Sequence, residues 1–252
     1  MQIAGQWVHP NDISNILGEP DFCWQLQHFI QDQLQDSSPE SDTASSSSML
    51  PALPTKITTY ASAVATFYAP SNISGIGGMC SERICAVDTW CHGNGQNDCM
   101  FINTDPTQPS MCGLDVACAR LLFSFVHEWV KYSCAFVKWF SQIRDCANEN
   151  MGMWSVKLEI FKDGMPNSSI IHLDSVVWLA HLLPIYHDMW VPSGHWLNFT
   201  WSLDTFTTFY VNKYIDHHAF ENCFLISINL CFILFFWFLS YGQFLTSFIS
   251  GA

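Results

Sequence analysis

Cys80, Cys85, Cys91 and Cys99, with His92 among them, are residue types that ligate zinc. Structural zinc sites usually draw thiolates in pairs about two to four residues apart, because one tight turn must aim two sulfurs at one ion. Here four, five and seven residues intervene. That spacing favours free thiols, and these four remain only weak metal candidates. A second group, Asp216, His217, His218 and Glu221, could place a carboxylate and a histidine on one helical face. Adjacent histidines diverge, however, so a polar helix end is the expected outcome. Gly75, Gly77 and Gly78 lack the Gly-Lys-Ser/Thr continuation of a phosphate loop and read as a tight turn. A nucleophilic cysteine would need a histidine partner and an electropositive setting, and this chain is acidic. Asp98, Asp105 and Asp115 lie in turn-rich stretches where carboxylates are usually solvated. No catalytic residue, cofactor or enzymatic activity is expected.

These residues must be positioned by a strand-rich middle region. Phe22, Leu26, Phe29, Ile30 and Leu34 recur at helical spacing and predict a helix over 20–35. Residues 36–56 form a Ser/Pro-rich linker that cannot bury a core. Strands are predicted at Cys99–Asn103, Met153–Ile160 and Ile171–Leu173, with a turn at Asp163-Gly164 between the last two. Arg120–Val126 and Lys131–Phe140 read as a hairpin across four residues. Periodicity leaves Ser175–Leu183 open between helix and strand. Ser202 reads as the N-cap of a helix carrying Leu203, Phe206, Tyr210 and Tyr214.

The 252 residues carry a formal charge of -13, and seven acids precede the first lysine, Lys56. Such a balance repels nucleic acid and anionic membrane surfaces, which need clustered Lys and Arg. Charged residues are 12% of the chain, about half the ~25% usual in soluble domains. No basic segment precedes an apolar run at the N-terminus, so secretion is not expected. The sequons at Asn72, Asn167 and Asn198 should then stay unglycosylated, and the eleven cysteines should not form a disulfide framework.

Several strings carry more information than these fragments. They are Ser62-Ala63-Val64-Ala65-Thr66-Phe67-Tyr68-Ala69-Pro70-Ser71, Ser74-Gly75-Ile76-Gly77-Gly78-Met79, Gly113-Leu114-Asp115-Val116-Ala117, Gly152-Met153-Trp154, and Ile171-His172-Leu173-Asp174-Ser175. The last runs Phe209-Tyr210-Val211-Asn212-Lys213-Tyr214 and on through Asp216-His217-His218-Ala219-Phe220. Together they resemble the C-terminal accessory region of proteins encoded by Plavaka-type transposable elements of mushroom-forming fungi, from about Leu17 to Phe220. The resemblance implies that the transposase core lies elsewhere, and it brings no catalytic residue with it. It also implies Arg where this chain has Cys80, Cys85, Cys91, Cys112, Cys118 and Trp178, and Pro in place of Ser133. Arginine occurs only at Arg83, Arg120 and Arg144, against 11 Cys, 11 Trp and 10 His. Cytosine deamination in a silenced repeat converts CG-type arginine codons into Cys, Trp, His or Gln codons. It thus accounts for the missing Arg and the Trp excess together, which a metal site would not.

The expected architecture is α+β: a small mixed sheet or barrel-like domain with flanking helices, plus a C-terminal hydrophobic helix. Its parts are an N-terminal helical segment (1–35), the linker (36–56), an α+β accessory domain (57–221) and an uncharged tail (222–252). Residues 223–243 hold twelve Leu, Ile or Phe and no formal charge. Twenty-one helical residues span roughly 31 Å, close to a bilayer's hydrocarbon thickness of ~30 Å. A decayed accessory domain of a transposable element is the first expectation. A tail-anchored, single-pass membrane protein with an acidic cytosolic domain is the alternative.

Overall fold

The computed structural model of this chain describes residues 6–36, 50–69, 76–87, 95–108, 110–186, 202–216 and 218–220. In chain order its elements are β1 (Gln6–Val8), α1 (Pro10–Leu17), α2 (Phe22–Asp36), β2 (Ile57–Tyr60), β3 (Ser62–Tyr68), β4 (Met79–Val87), β5 (Gln96–Asn97), β6 (Cys99–Asn103), β7 (Leu114–His127) and β8 (Val130–Gln142). After them come β9 (Ser155–Leu158), β10 (Ser168–His172), β11 (Val176–Leu179), β12 (Leu182–Pro184), α3 (Ser202–Thr205) and β13 (Thr208–Val211).

The long hairpin β7–β8 organises everything else. One edge of β7 pairs first with β6 and then with β2, and the free edge of β8 takes β10 and β9. The switch of partner along β7 coincides with a register shift between Ala119 and Leu121, where Arg120 is the extra residue opposite β8. Such a bulge bends a strand and increases its twist, which lets one strand serve two neighbours. With β1 on β2, β11 on β6, and β13–β12 continuing from β9, the sheet has ten strands. A smaller sheet, β3–β4–β5, lies beside it, and every pairing is antiparallel.

The hairpin is apolar almost throughout because both its faces are covered. At one end, Phe123, Phe125, Cys134 and Phe136 meet Phe22, Leu26, Phe29 and Ile30 of α2. On the opposite face, Ala117, Ala119, Leu122, Ala135 and Val137 meet Ile84 and Ala86 of β4. The third core joins Phe101, Val116 and Phe140 to Val156, Trp178, Phe209 and Val211. Strands from distant parts of the sheet therefore share one interior.

Helix α1 begins with Pro10 after His9, whose Nδ1 accepts a bond from the Asn11 N–H, and ends at Gly18 with φ 66°. Both ends follow helix-end chemistry: proline costs nothing where no N–H partner exists, and glycine tolerates the left-handed closing residue. Beyond it the N-terminal segment adds strand β1 and helix α2 to the shared core. Of the expected linker, residues 37–49 lie outside the described residues. So do 221–252, which contain the expected C-terminal hydrophobic helix. Among the described residues no helix is long and apolar enough to cross a membrane.

The structure is α+β as expected, but the sheet is neither small nor barrel-like: it has ten strands, and the ends of its main path, β1 and β12, do not pair. The hairpin loop is two residues rather than four, because His127 pairs with Val130 and extends both strands. Ser175–Leu183 resolves into β11 and β12. The helix expected from Ser202 stops at Thr205. Phe209 and Val211 are buried in β13, held between β9 and β12, so cross-strand pairing overrides a helical spacing. Gly77 and Gly78, at φ 63° and 79°, make the tight turn that their spacing predicts.

Glu128 and Trp129 at the hairpin tip also have positive φ, 47° and 68°. A two-residue turn of this hand favours Asn-Gly, because a Cβ is crowded in the left-handed region. Replacing Glu128→Asn and Trp129→Gly together is expected to raise stability by about 1–2 kcal/mol in chemical denaturation. A loss of stability would show that the 98% exposed Trp129 side chain supports the tip.

Candidate functional site

Most of the residues with chemical potential are drawn into the framework. Along β4, Cys80, Glu82, Ile84 and Ala86 share the inward face, opposite Phe67, Ala65 and Ala63 of β3, whereas Cys85 has the other parity. Cys80 and Cys85 therefore point to opposite sides of one strand. Cys99 lies in the larger sheet, and Cys91 and His92 lie outside the described residues. Groups of three or more His, Cys, Asp or Glu that could hold a metal are absent among the described residues.

Asp98 ties the two sheets together. Its Oδ2 accepts from the Cys85 N–H at 2.7 Å and its Oδ1 from Gln96 Nε2 at 3.0 Å. Its own N–H donates to the Cys85 carbonyl, and its carbonyl accepts from the Ala119 N–H, both at 2.9 Å. Asp105 closes a turn by accepting from the N–H and hydroxyl of Thr107, bonds that hold its carboxyl below the usual range. Asp115 accepts from the Thr104 hydroxyl at 2.9 Å. These three aspartates thus have three separate structural tasks.

Asp216 accepts from the Ala219 N–H at 2.7 Å, the geometry of an N-cap rather than of a helix end. His218 stacks on Phe67 at 5.0 Å between centroids and meets Trp178 edge-on at 4.8 Å. His217 and Glu221 lie outside the described residues, so the expected carboxylate–histidine face is not assembled from described residues.

Glu82 joins this corner, and nothing in the sequence reading singled it out. Its Oε2 accepts from the Leu179 N–H at 2.9 Å, bonding β4 to β11. Burial raises its pKa, the Leu179 N–H opposes that, and the negative charge of Asp216 raises it further. The available signal was an acid on the same strand face as Ile84 and Ala86. Because the folded pKa is raised, the proton is held tighter in the folded state. Its contribution to stability is full below the ordinary glutamate pKa and is lost as pH rises through the folded value. Glu82→Gln keeps an acceptor for Leu179 and removes the charge. The variant is expected to melt higher than the parent at pH 7, with the gap closing towards pH 4. A lower melting temperature at pH 7 would contradict this.

A shallow cleft of about 500 Å³ opens on the sheet between Asp115, Trp139, Ser141, Glu159 and Asn167. Its walls are bonded to their surroundings: Asn167 Nδ2 donates to Glu159 Oε2 at 3.0 Å, and the Trp139 indole donates to Ser169 Oγ at 2.7 Å. The cleft has room for a small polar group.

The eight described cysteines are free thiols, six of them partly or wholly buried. Burial pushes Cys134 up to about 12, which keeps it an inert thiol. Cys99 and Cys118 behave differently. They are directly opposed on β6 and β7, and the Cys118 thiol donates weakly to the Asn97 and Ala119 carbonyls at 3.8 and 3.9 Å. The neighbouring Cys99 thiol holds Cys118 down against the opposing effect of burial, with help from the charges of Arg120 and Lys138, while Asp98 opposes it. The same neighbour interaction pushes Cys99 well up. Sequence spacing could not reveal this pair, because only the strand register brings the two together.

Fold and site thus define an α+β protein whose open antiparallel sheet is stapled by its own carboxylates. Compared with known proteins, the chain matches no family model, no curated protein and no solved structure.

Proposed function

We propose that this chain is a non-catalytic accessory domain of transposable-element origin, a copy that has drifted without selection. The observation that carries the reading is Trp178. It is 7% exposed, and its indole N–H has no hydrogen-bond partner among the described residues. A buried donor left unpaired costs about 1–3 kcal/mol, and Trp154 in the same core carries a second one. Position 178 is one where the family resemblance implies arginine, and Trp178 packs against Phe67 on the β3–β4 face that bears Glu82. An arginine there would supply the positive charge that this desolvated carboxylate now lacks in its immediate packing. Cys112 is exposed, an ordinary place for a replaced arginine. Cys80, Cys85 and Cys118 are buried, where a guanidinium would need a paired carboxylate.

The DNA flanking the reading frame tests this origin. Remnants of transposase-coding sequence in the same orientation and of terminal inverted repeats are expected. An intact, single-copy gene with neither would overturn it. A second reading, a tail-anchored membrane protein, is favoured by the 21 uncharged residues 223–243. Under either reading this copy is expected to bind duplex DNA weakly, in keeping with its formal charge of -13.

A further inference from the structure

We propose that Cys99 and Cys118 form a peroxide-oxidisable dithiol that closes to a disulfide across β6 and β7. The strand register sets the geometry. Ladder hydrogen bonds join Ala119 to Asp98 and Thr104 to Gly113, and ladder pairs alternate along antiparallel strands. Cys99–Cys118 therefore falls at a non-hydrogen-bonded pair. Such pairs place their Cα atoms about 4.5 Å apart with side chains on one face, inside the disulfide range of about 4.4–6.8 Å. The two side chains share one face at this opposed position. Little backbone movement stands between the dithiol and the bond.

The polarity of the pair sets the order of events. Lys138, ion-paired to Glu19 at 3.0 Å, lies directly opposite Cys118 on β8, and Arg120 is two residues away; both cations favour the Cys118 thiolate, whereas Cys99 faces only the negative charge of Asp98. Cys118 is the sulfur that ionises and attacks. Its thiolate takes one oxygen of hydrogen peroxide; the O–O bond breaks, and the other oxygen leaves as water after gaining a proton. The Cys99 sulfur then attacks the Cys118 sulfenic acid. The S–S bond forms, the S–O bond breaks, and the hydroxide released takes the Cys99 proton to become a second water. The dithiol loses two electrons and two protons, and the peroxide is reduced to two waters. At 7% and 5% exposure, the pair is expected to react with an oxidant as small as hydrogen peroxide more readily than with bulky thiol reagents. Cys134, buried without an opposed cysteine on β7 or β10, provides an internal comparison.

The test treats the folded full chain with hydrogen peroxide, alkylates the remaining thiols in denaturant, and maps the digest without reductant. A linked peptide joining Cys99 to Cys118 is expected, lighter by two hydrogens than the two free peptides and released by dithiothreitol. When the peroxide is removed and dimedone is added in denaturant, an adduct should accumulate on Cys118 in Cys99→Ser, whereas in Cys118→Ser little should form on Cys99. The wild-type map decides the matter even if a variant does not fold. Oxidation confined to the exposed Cys112 and Cys146, or links joining other cysteines only, would overturn the proposal. A dimedone adduct mainly on Cys99 would overturn the assigned polarity.

Discussion

Phe22→Ala is expected to remove about 3–5 kcal/mol of stability, from a total of roughly 5–15 kcal/mol for a domain. Phe22 is fully buried. Its ring meets Phe123 at 5.8 Å and Phe136 at 5.6 Å, edge-on to both. One side chain thus fastens α2 to both strands of the central hairpin. Its loss leaves a cavity between a helix and two long strands, where collapse is restricted because both strands are held on their far face by the β3–β4 core. A guanidinium midpoint would report the loss. Trp24→Ala on the same helix supplies the comparison. Trp24 is more than half exposed and lies against His28 with the two rings tilted, so its removal should cost no more than about 0.5 kcal/mol. Equal effects from both variants would mean that α2 does not dock as described.

The second large effect concerns the tail. Residues 219–252 fused to a soluble reporter are expected to carry it into membranes that resist carbonate extraction. Each of the twelve Leu, Ile or Phe residues in 223–243 contributes roughly -0.3 to -0.6 kcal/mol near the centre of a bilayer helix, a sum of several kcal/mol. Asn229, Ser227, Ser240, Gly242 and Gln243 offset part of it. Orientation is weakly specified, since no Lys or Arg follows Lys213. Lys213 itself is buried, its ammonium over the rings of Tyr214 and Phe220 at 5.1 and 5.4 Å, and it cannot also serve as a headgroup contact without unpacking. A reporter that stays soluble and monomeric would remove the membrane-spanning proposal.

What the sequence disclosed follows from how local each signal is. Helix α2 was legible because one stripe of Phe22, Leu26, Phe29 and Ile30 is buried against a single partner surface. Strand β6 was legible as a short apolar run bounded by turns, and Gly77-Gly78 by the backbone freedom that the turn demands. Helix α1 was missed although Pro10 and Gly18 mark its two ends, since its apolar periodicity is short. Strand β13 was misread because Phe206, Tyr210 and Tyr214 imitate a helical stripe, while its fate is set by β9 and β12, the former some fifty residues upstream. Asp98, Glu82 and the Cys99–Cys118 pair acquire their roles only through contacts between strands, which no spacing along the chain encodes.

The division of labour along the central hairpin also orders the folding of the chain. Strands β7 and β8 are joined by two residues, and β6 precedes β7 by a short connection, so these three can pair with little loss of loop entropy. Strand β1 must find β2 across some fifty residues, and β13 must find β9 across a similar length. Such distant pairings are slow because their closure entropy must be met before any contact rewards it. The middle of the sheet is therefore expected to form first, with its flanks assembling onto it as a template. Substitutions in β7 and β8 should slow folding, whereas those in β1, β12 and β13 should chiefly hasten unfolding.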